Sequence, residues 1–106
     1  MIIAMTNMHA LQEKQKEVLQ TLISMTEPPG KEQGCLSYGI FHDIEEKSVF
    51  ILISEWETRQ QLDRYMRSDR FSVLLGTKSL LCHPIKTQIF TVSGFDGIET
   101  VDSMRN

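Results

Sequence analysis

The chain has 106 residues, with 11 Lys+Arg against 14 Asp+Glu and 41% apolar residues. These values match the averages of a single globular domain and exclude a disordered chain. No basic stripe is present, so double-stranded nucleic acid is excluded as a main partner, and the longest apolar run, Val49 to Ile53, is far too short to cross a membrane.

Met1 to Met5 is apolar, but no Lys or Arg precedes it and no small-residue cleavage site follows. It is expected to open a first strand, Ile2 to Ala10, and not to act as a signal peptide. From Gln12 to Met25 the period changes. Leu11, Gln15, Val18, Leu22 and Met25 fall on one face, flanked by Leu19 and Ile23, which predicts an amphipathic helix ended by Pro28. Glu27 to Gly34 holds two prolines and two glycines and reads as a loop. Cys35 to Asp43 alternates as a strand, with Leu36, Tyr38, Ile40 and His42 on one face. Ile44 to Ser48 is a hairpin connection. Val49 to Trp56 is apolar without interruption over its first five residues, as a central strand covered on both faces would be.

Thr58 and Gln61 form a capping-box pattern ahead of a helix from Arg59 to about Arg67, with Leu62, Tyr65 and Met66 inward. Ser68 is a second N-cap; Phe71, Leu74 and Leu75 line a short helix that Gly76 can close. A last strand runs from Ile85 to Val92. The tail after Ser93 is expected to be loose or to cross to a partner chain. The order β-α-β-β-α-β, with an extra helical turn before the last strand, is that of an α+β, ferredoxin-like domain spanning residues 1–106. The uncovered sheet face calls for a second copy, giving a homodimeric αβ-barrel. Cys35 and Cys82 make no C-x-x-C pair, so a cytoplasmic protein with reduced thiols is expected.

Gly34-Cys35-Leu36-Ser37-Tyr38, then Ser54-Glu55-Trp56-Glu57-Thr58, Leu62 and Ser68-Asp69-Arg70-Phe71 resemble the antibiotic biosynthesis monooxygenase domain. The resemblance implies a dimeric ferredoxin-like barrel with a pocket between helices and sheet. Some members of that family oxidise phenols or quinols with molecular oxygen and use no metal, flavin or haem; a related branch degrades haem. Fold transfers better than function. By the resemblance, Asn7 is similar to a strand asparagine that donates in the pocket of haem-degrading relatives. Tyr65 falls where those relatives carry a tryptophan and other members a histidine. Leu75 falls where they carry an iron-ligating histidine, which disfavours haem degradation.

The chemistry needs a substrate phenol held as its anion in a dry pocket. Asn7, His9, Tyr38, His42, Trp56, Arg64 and Tyr65 are the polar residues set among apolar ones. Tyr65, Asn7 and His42 are the catalytic candidates; Trp56, Tyr38, Phe71, Leu62 and Leu75 are the expected substrate-binding wall. Each has a plainer role. Asn7 suits a strand end bonded to backbone, His42 a solvated strand end, and Trp56 a core ring whose N–H meets a backbone carbonyl. His9, His42 and His83 show no metal-ligand spacing, so no metal site is expected. Cys35 and Cys82 are expected to be buried and inert. Lys31, Arg64, Arg67 and Arg70 read as a solvated face interleaved with Asp63 and Asp69. The leading reading is a cofactor-independent monooxygenase taking a small aromatic molecule and O2. The alternative is a non-catalytic ligand-binding homodimer.

Overall fold

The computed structural model describes residues 1–25 and 33–106. Along the chain it places β1 (Ile2–His9), α1 (Gln15–Ser24), β2 (Cys35–His42), β3 (Val49–Trp56), α2 (Arg59–Met66), α3 (Asp69–Leu75), β4 (Lys86–Thr91) and α4 (Ile98–Arg105). Short 3₁₀ turns cover Gln12–Lys14 and Gly76–Leu80. The strands form one antiparallel sheet in the order β2-β3-β1-β4. This is the α+β ferredoxin-like fold, with the uninterrupted apolar strand β3 inside the sheet, as its composition predicts.

Strand parity sorts the core. Ile2, Ala4, Thr6 and Met8 of β1 and Phe50, Leu52, Ser54 and Trp56 of β3 are buried on one face. Val18 and Leu22 of α1, Leu62 and Tyr65 of α2, and Phe71 and Leu74 of α3 are the buried residues of the helices that cover it. The other face of β3 is only half-buried, so the described residues do not supply the expected second cover. Among the described residues, no helix is long and apolar enough to cross a membrane.

Several local features differ from the sequence pattern. The register of β2 against β3 shifts between Cys35 and Ser37. This bulge turns Leu36 outward and leaves Cys35, Tyr38 and Ile40 packed against the core, so Leu36 does not share the face of Tyr38. The first helix begins with a 3₁₀ turn lacking a side-chain cap and becomes α-helical only at Gln15. Its predicted stop at Pro28, and the loop from Glu27 to Glu32, lie outside the described residues. Gly34 sits at φ 87°, and a Cβ there would meet the Gln61 side chain at 2.1 Å. That packing holds Gln61 against Gly34. Thr58 accepts from the Gln61 N–H at 3.2 Å as predicted, but Gln61 Oε1 is buried without a partner, so the reciprocal half of the capping box does not form.

Ser68 caps α3 by accepting from the Phe71 N–H at 3.2 Å. Gly76 is right-handed helical at φ -65°, so the chain passes straight into the 3₁₀ turn and is not closed there. The tail forms α4, a helix with no buried residue, which the scattered charge after Ser93 did not signal.

Candidate active site

Two cross-strand rows lie beneath α2 and α3. Tyr38, Ser54, Ala4 and Ile89 follow one another across the sheet; Ile40, Leu52, Thr6 and Thr87 make the next row. Ala4, Ser54 and Thr6 are short, so the floor is low where the helices cross. Leu62, Tyr65 and Met66 of α2, with Phe71 and Leu74 of α3, roof the resulting cleft. The cleft spans about 320 Å³ counted to its open mouth, but only about 20 Å³ admits the centre of a water molecule. That is room for roughly one water. The resemblance implied a pocket between helices and sheet; a cleft lies there, and the side chains nearly fill it. Thr87, on the edge strand, is exposed and marks the way in. Met66, unbranched and half-buried, is the wall best able to give way.

Aromatic rings fix the geometry. Tyr65 is 7% exposed, its ring 5.1 Å from that of Trp56 and 5.5 Å, edge-on, from that of Phe71. Trp56 is 1% exposed and donates through Nε1 to Ser54 Oγ at 2.9 Å. The expected backbone carbonyl is not its partner, because Ser54 lies two residues back on the same strand face. Thr6 and Thr87 pair through their hydroxyls at 3.1 Å.

Tyr38 Oη is the polar atom in the cleft that stands out. It is buried and makes no hydrogen bond of ordinary geometry. Burial pushes its pKa above the usual 10.0; the nearby Tyr65 hydroxyl pulls the other way, without the alignment of a full hydrogen bond. Cys35 adds a smaller upward push and Arg70 a smaller downward one. The protonated phenol is therefore the form the fold favours. A folded-state pKa raised above the unfolded value stabilises below that value and is lost as pH rises through the folded one. Stability is accordingly expected to fall above about pH 10, and to fall less in Tyr38→Phe. Chemical denaturation across that range checks this; equal declines in both proteins would contradict it.

The structure gathers only part of the sequence-based set. Tyr38, Tyr65, Leu62 and Phe71 line the cleft, with Trp56 directly behind Tyr65. Asn7 does not join them. Its parity on β1 places it on the opposite sheet face, between Ile51 and Lys86, and Thr6 occupies the position facing the cleft. His42 is exposed at the far end of β2, stacked on Phe50 at 6.0 Å. Leu75 is 47% exposed and faces an outer groove with Leu81 and Ile85; Leu74, one residue earlier, is the cleft residue. Ala4, Thr6, Ser54 and Thr87 were missed, although strand parity on β1 and β3 was the available signal.

Arg64 and Arg67 are exposed, as a solvated face requires. Arg70 instead donates from Nη2 to the Met25 carbonyl at 3.0 Å, tying α3 to the end of α1. Lys31 lies outside the described residues. Neither cysteine is in a disulfide; Cys35 is half-buried, but Cys82 is exposed, contrary to the expected burial, because it follows the 3₁₀ turn on a surface bend.

The comparisons with known proteins agree with this architecture. The family model described as antibiotic biosynthesis monooxygenase matches residues 1–74. No curated protein sequence matches the chain significantly. Among solved structures, one of an antibiotic biosynthesis monooxygenase superposes with a TM-score of 0.80 at 20% identity, covering 89% of this chain and 100% of that one. A conserved protein from Methanosarcina mazei Go1 is 26% identical at a TM-score of 0.78, covering 84% and 89% of the two chains. Rv0793 from Mycobacterium tuberculosis shares 16% identity at a TM-score of 0.80, covering 91% and 98%. The family match spans more than half of the sequence and includes β1, β3 and the two helices that roof the cleft: this chain belongs to the antibiotic biosynthesis monooxygenase family.

Proposed function

We propose that the protein is a cofactor-independent monooxygenase acting on a quinol or similar small hydroxyaromatic with molecular oxygen. The observation that carries this reading is the buried, unpartnered Tyr38 hydroxyl beside Tyr65 in an apolar cleft. Two neutral phenols are hydrogen-bond donors that favour a bound phenolate over its phenol. The phenolate shares its negative charge with a ring carbon that bears one hydrogen. Oxygen bonds to that carbon. As the O–O bond breaks and the C–H proton is lost, C–H becomes C=O. The second oxygen atom leaves as water with that proton and the phenol's own, so the substrate supplies all four electrons. Trp56 and Phe71 hold Tyr65 in place, and Met66 swings aside to admit the ring. Asn7 and His42 take no part.

A homodimer completes this reading. The outer sheet face carries Phe41 and Phe90, 53% and 43% exposed, around half-buried Ile3, Met5, Ile51 and Ile53. Phe41 folds back over Gly39, where an added Cβ would lie 2.8 Å from its ring, and the face is flattened for a second sheet. A solution mass of two chains is expected; a monomer at micromolar concentration would count against this cover. Two cysteines outside any disulfide accord with a cytoplasmic location.

A second reading has its own support. Among the described residues no histidine, carboxylate or lysine lines the cleft, and its free space is small. Both suit a dimer that binds a small ligand without turning it over. Oxygen uptake by the purified protein with a panel of hydroquinones and naphthols decides between them. Uptake well above autoxidation, unchanged within twofold in His42→Ala, is the expected result. Thermal stabilisation by the same compounds with no uptake would favour the binding protein.

A further inference from the structure

His9, Cys82 and His83 are 73 or more residues apart along the chain, counted from the first to either of the others, and show no metal-ligand spacing. The fold nevertheless brings them together. Each offers one ligand atom, and these atoms all lie within 4.8 Å of one another. The His9 and His83 rings meet edge-on at 5.0 Å. We propose that these three side chains form a binding site for a zinc-class divalent cation, separate from the cleft under α2 and α3.

The scaffold is already in place. The Cys82 N–H donates to the His9 carbonyl at 2.9 Å, and the Leu11 N–H donates to the Leu80 carbonyl at 2.8 Å. Between them Ala10 pairs with Leu81 as an isolated bridge. The chain leaving the 3₁₀ turn is thus clamped to the end of β1, which holds Cys82 beside His9 whatever the surface side chains do. Pro84 restricts the backbone of His83 to extended conformations, so the third ligand is also held.

The donor set selects the ion. Zinc sits about 2.3 Å from a thiolate sulfur and about 2.0–2.1 Å from an imidazole nitrogen, which in tetrahedral geometry puts the ligand atoms about 3.3–3.6 Å apart. From this spacing each pair of ligand atoms must close by up to about 1.2–1.5 Å, shared between two side chains and within reach of side-chain rotation. Two imidazoles and a thiolate exclude magnesium and calcium, which require oxygen ligands, and suit zinc. Cys82 and His83 are exposed, so the fourth position belongs to water. The thiol proton, now directed at the His9 and Ala10 carbonyls at 3.5 and 3.8 Å, is released to solvent as sulfur ligates. Lys86 shares the open cavity of His9 and His83 and opposes a cation there; the thiolate charge offsets it.

The test is a titration of tag-free protein with Co²⁺, then Zn²⁺, in a non-thiol reductant. A thiolate-to-cobalt charge-transfer band saturating at one ion per chain, displaced by zinc, is expected. Cys82→Ser should abolish the band, His9→Ala and His83→Ala should each weaken zinc binding at least tenfold, and Cys35→Ser should change neither. No band in the wild type, a band that survives Cys82→Ser, or a band lost in Cys35→Ser would each overturn the site. Cys82 and His83 are exposed, so their variants are expected to fold, and an unchanged far-UV spectrum confirms it. The readout does not depend on oxygen uptake, so it stands or falls apart from the proposed reaction.

Discussion

Trp56→Ala is expected to lower stability by about 3–5 kcal/mol, the range for removing a large aromatic from a core. Trp56 is 1% exposed, and its ring is the surface on which Tyr65 packs. Truncation would open a cavity beneath α2 and strip Ser54 Oγ of its donor. Trp56→Phe keeps a ring but loses that N–H and part of the volume, so a smaller cost of about 1–2 kcal/mol is expected. Urea denaturation at fixed protein concentration measures both. Concentration must be fixed, because association with a second copy would shift the midpoint by mass action. A loss under about 1 kcal/mol for the alanine variant would show that the cleft wall repacks freely.

The double variant Tyr38→Phe/Tyr65→Phe is expected to reduce oxygen uptake with the best quinol by about 10²–10³-fold, the loss typical of removing a preorganised donor from a developing oxyanion. Each single variant should lose part of this. The ring positions are kept by phenylalanine, so the contacts of residue 65 with Trp56 and Phe71 survive. Uptake within threefold of wild type in the double variant would remove both hydroxyls from the reaction. In the single variant Tyr38→Phe protein stability should not fall with activity, since Tyr38 Oη gives up no formed hydrogen bond when deleted. That separation distinguishes lost chemistry from lost folding.

Hydrophobic periodicity made the fold readable. The unbroken run at Val49 to Ile53 marked an inner strand, and Thr58 and Ser68 marked the starts of two helices with the hydrogen bonds each predicts. The family resemblance implied a pocket between helices and sheet, and a cleft lies there. Which side chains enter it was less readable, and the reason is parity. On β1 a shift of one residue exchanges Thr6 for Asn7, and on α3 a shift of one residue exchanges Leu74 for Leu75. Polarity favoured Asn7, yet the alternation of Ile2, Ala4, Thr6 and Met8 was the better guide. Leu36 was misplaced by a bulge that no composition signals. The meeting of His9 with Cys82 and His83 depends on a tertiary bridge between Ala10 and Leu81, and local spacing carries no trace of it.

The low floor of the cleft has a consequence for which molecules can enter. Ala4 lies beside Ser54 at its base, where a single methyl faces the roof formed by α2 and α3. Valine or leucine there would consume the little space left, and glycine would deepen it. The aperture is thus graded by a side chain that neither gives nor takes a proton. Guests can be sorted by girth at residue 4 independently of how residues 38 and 65 treat their hydroxyls, and the two properties can diverge separately as the sequence changes.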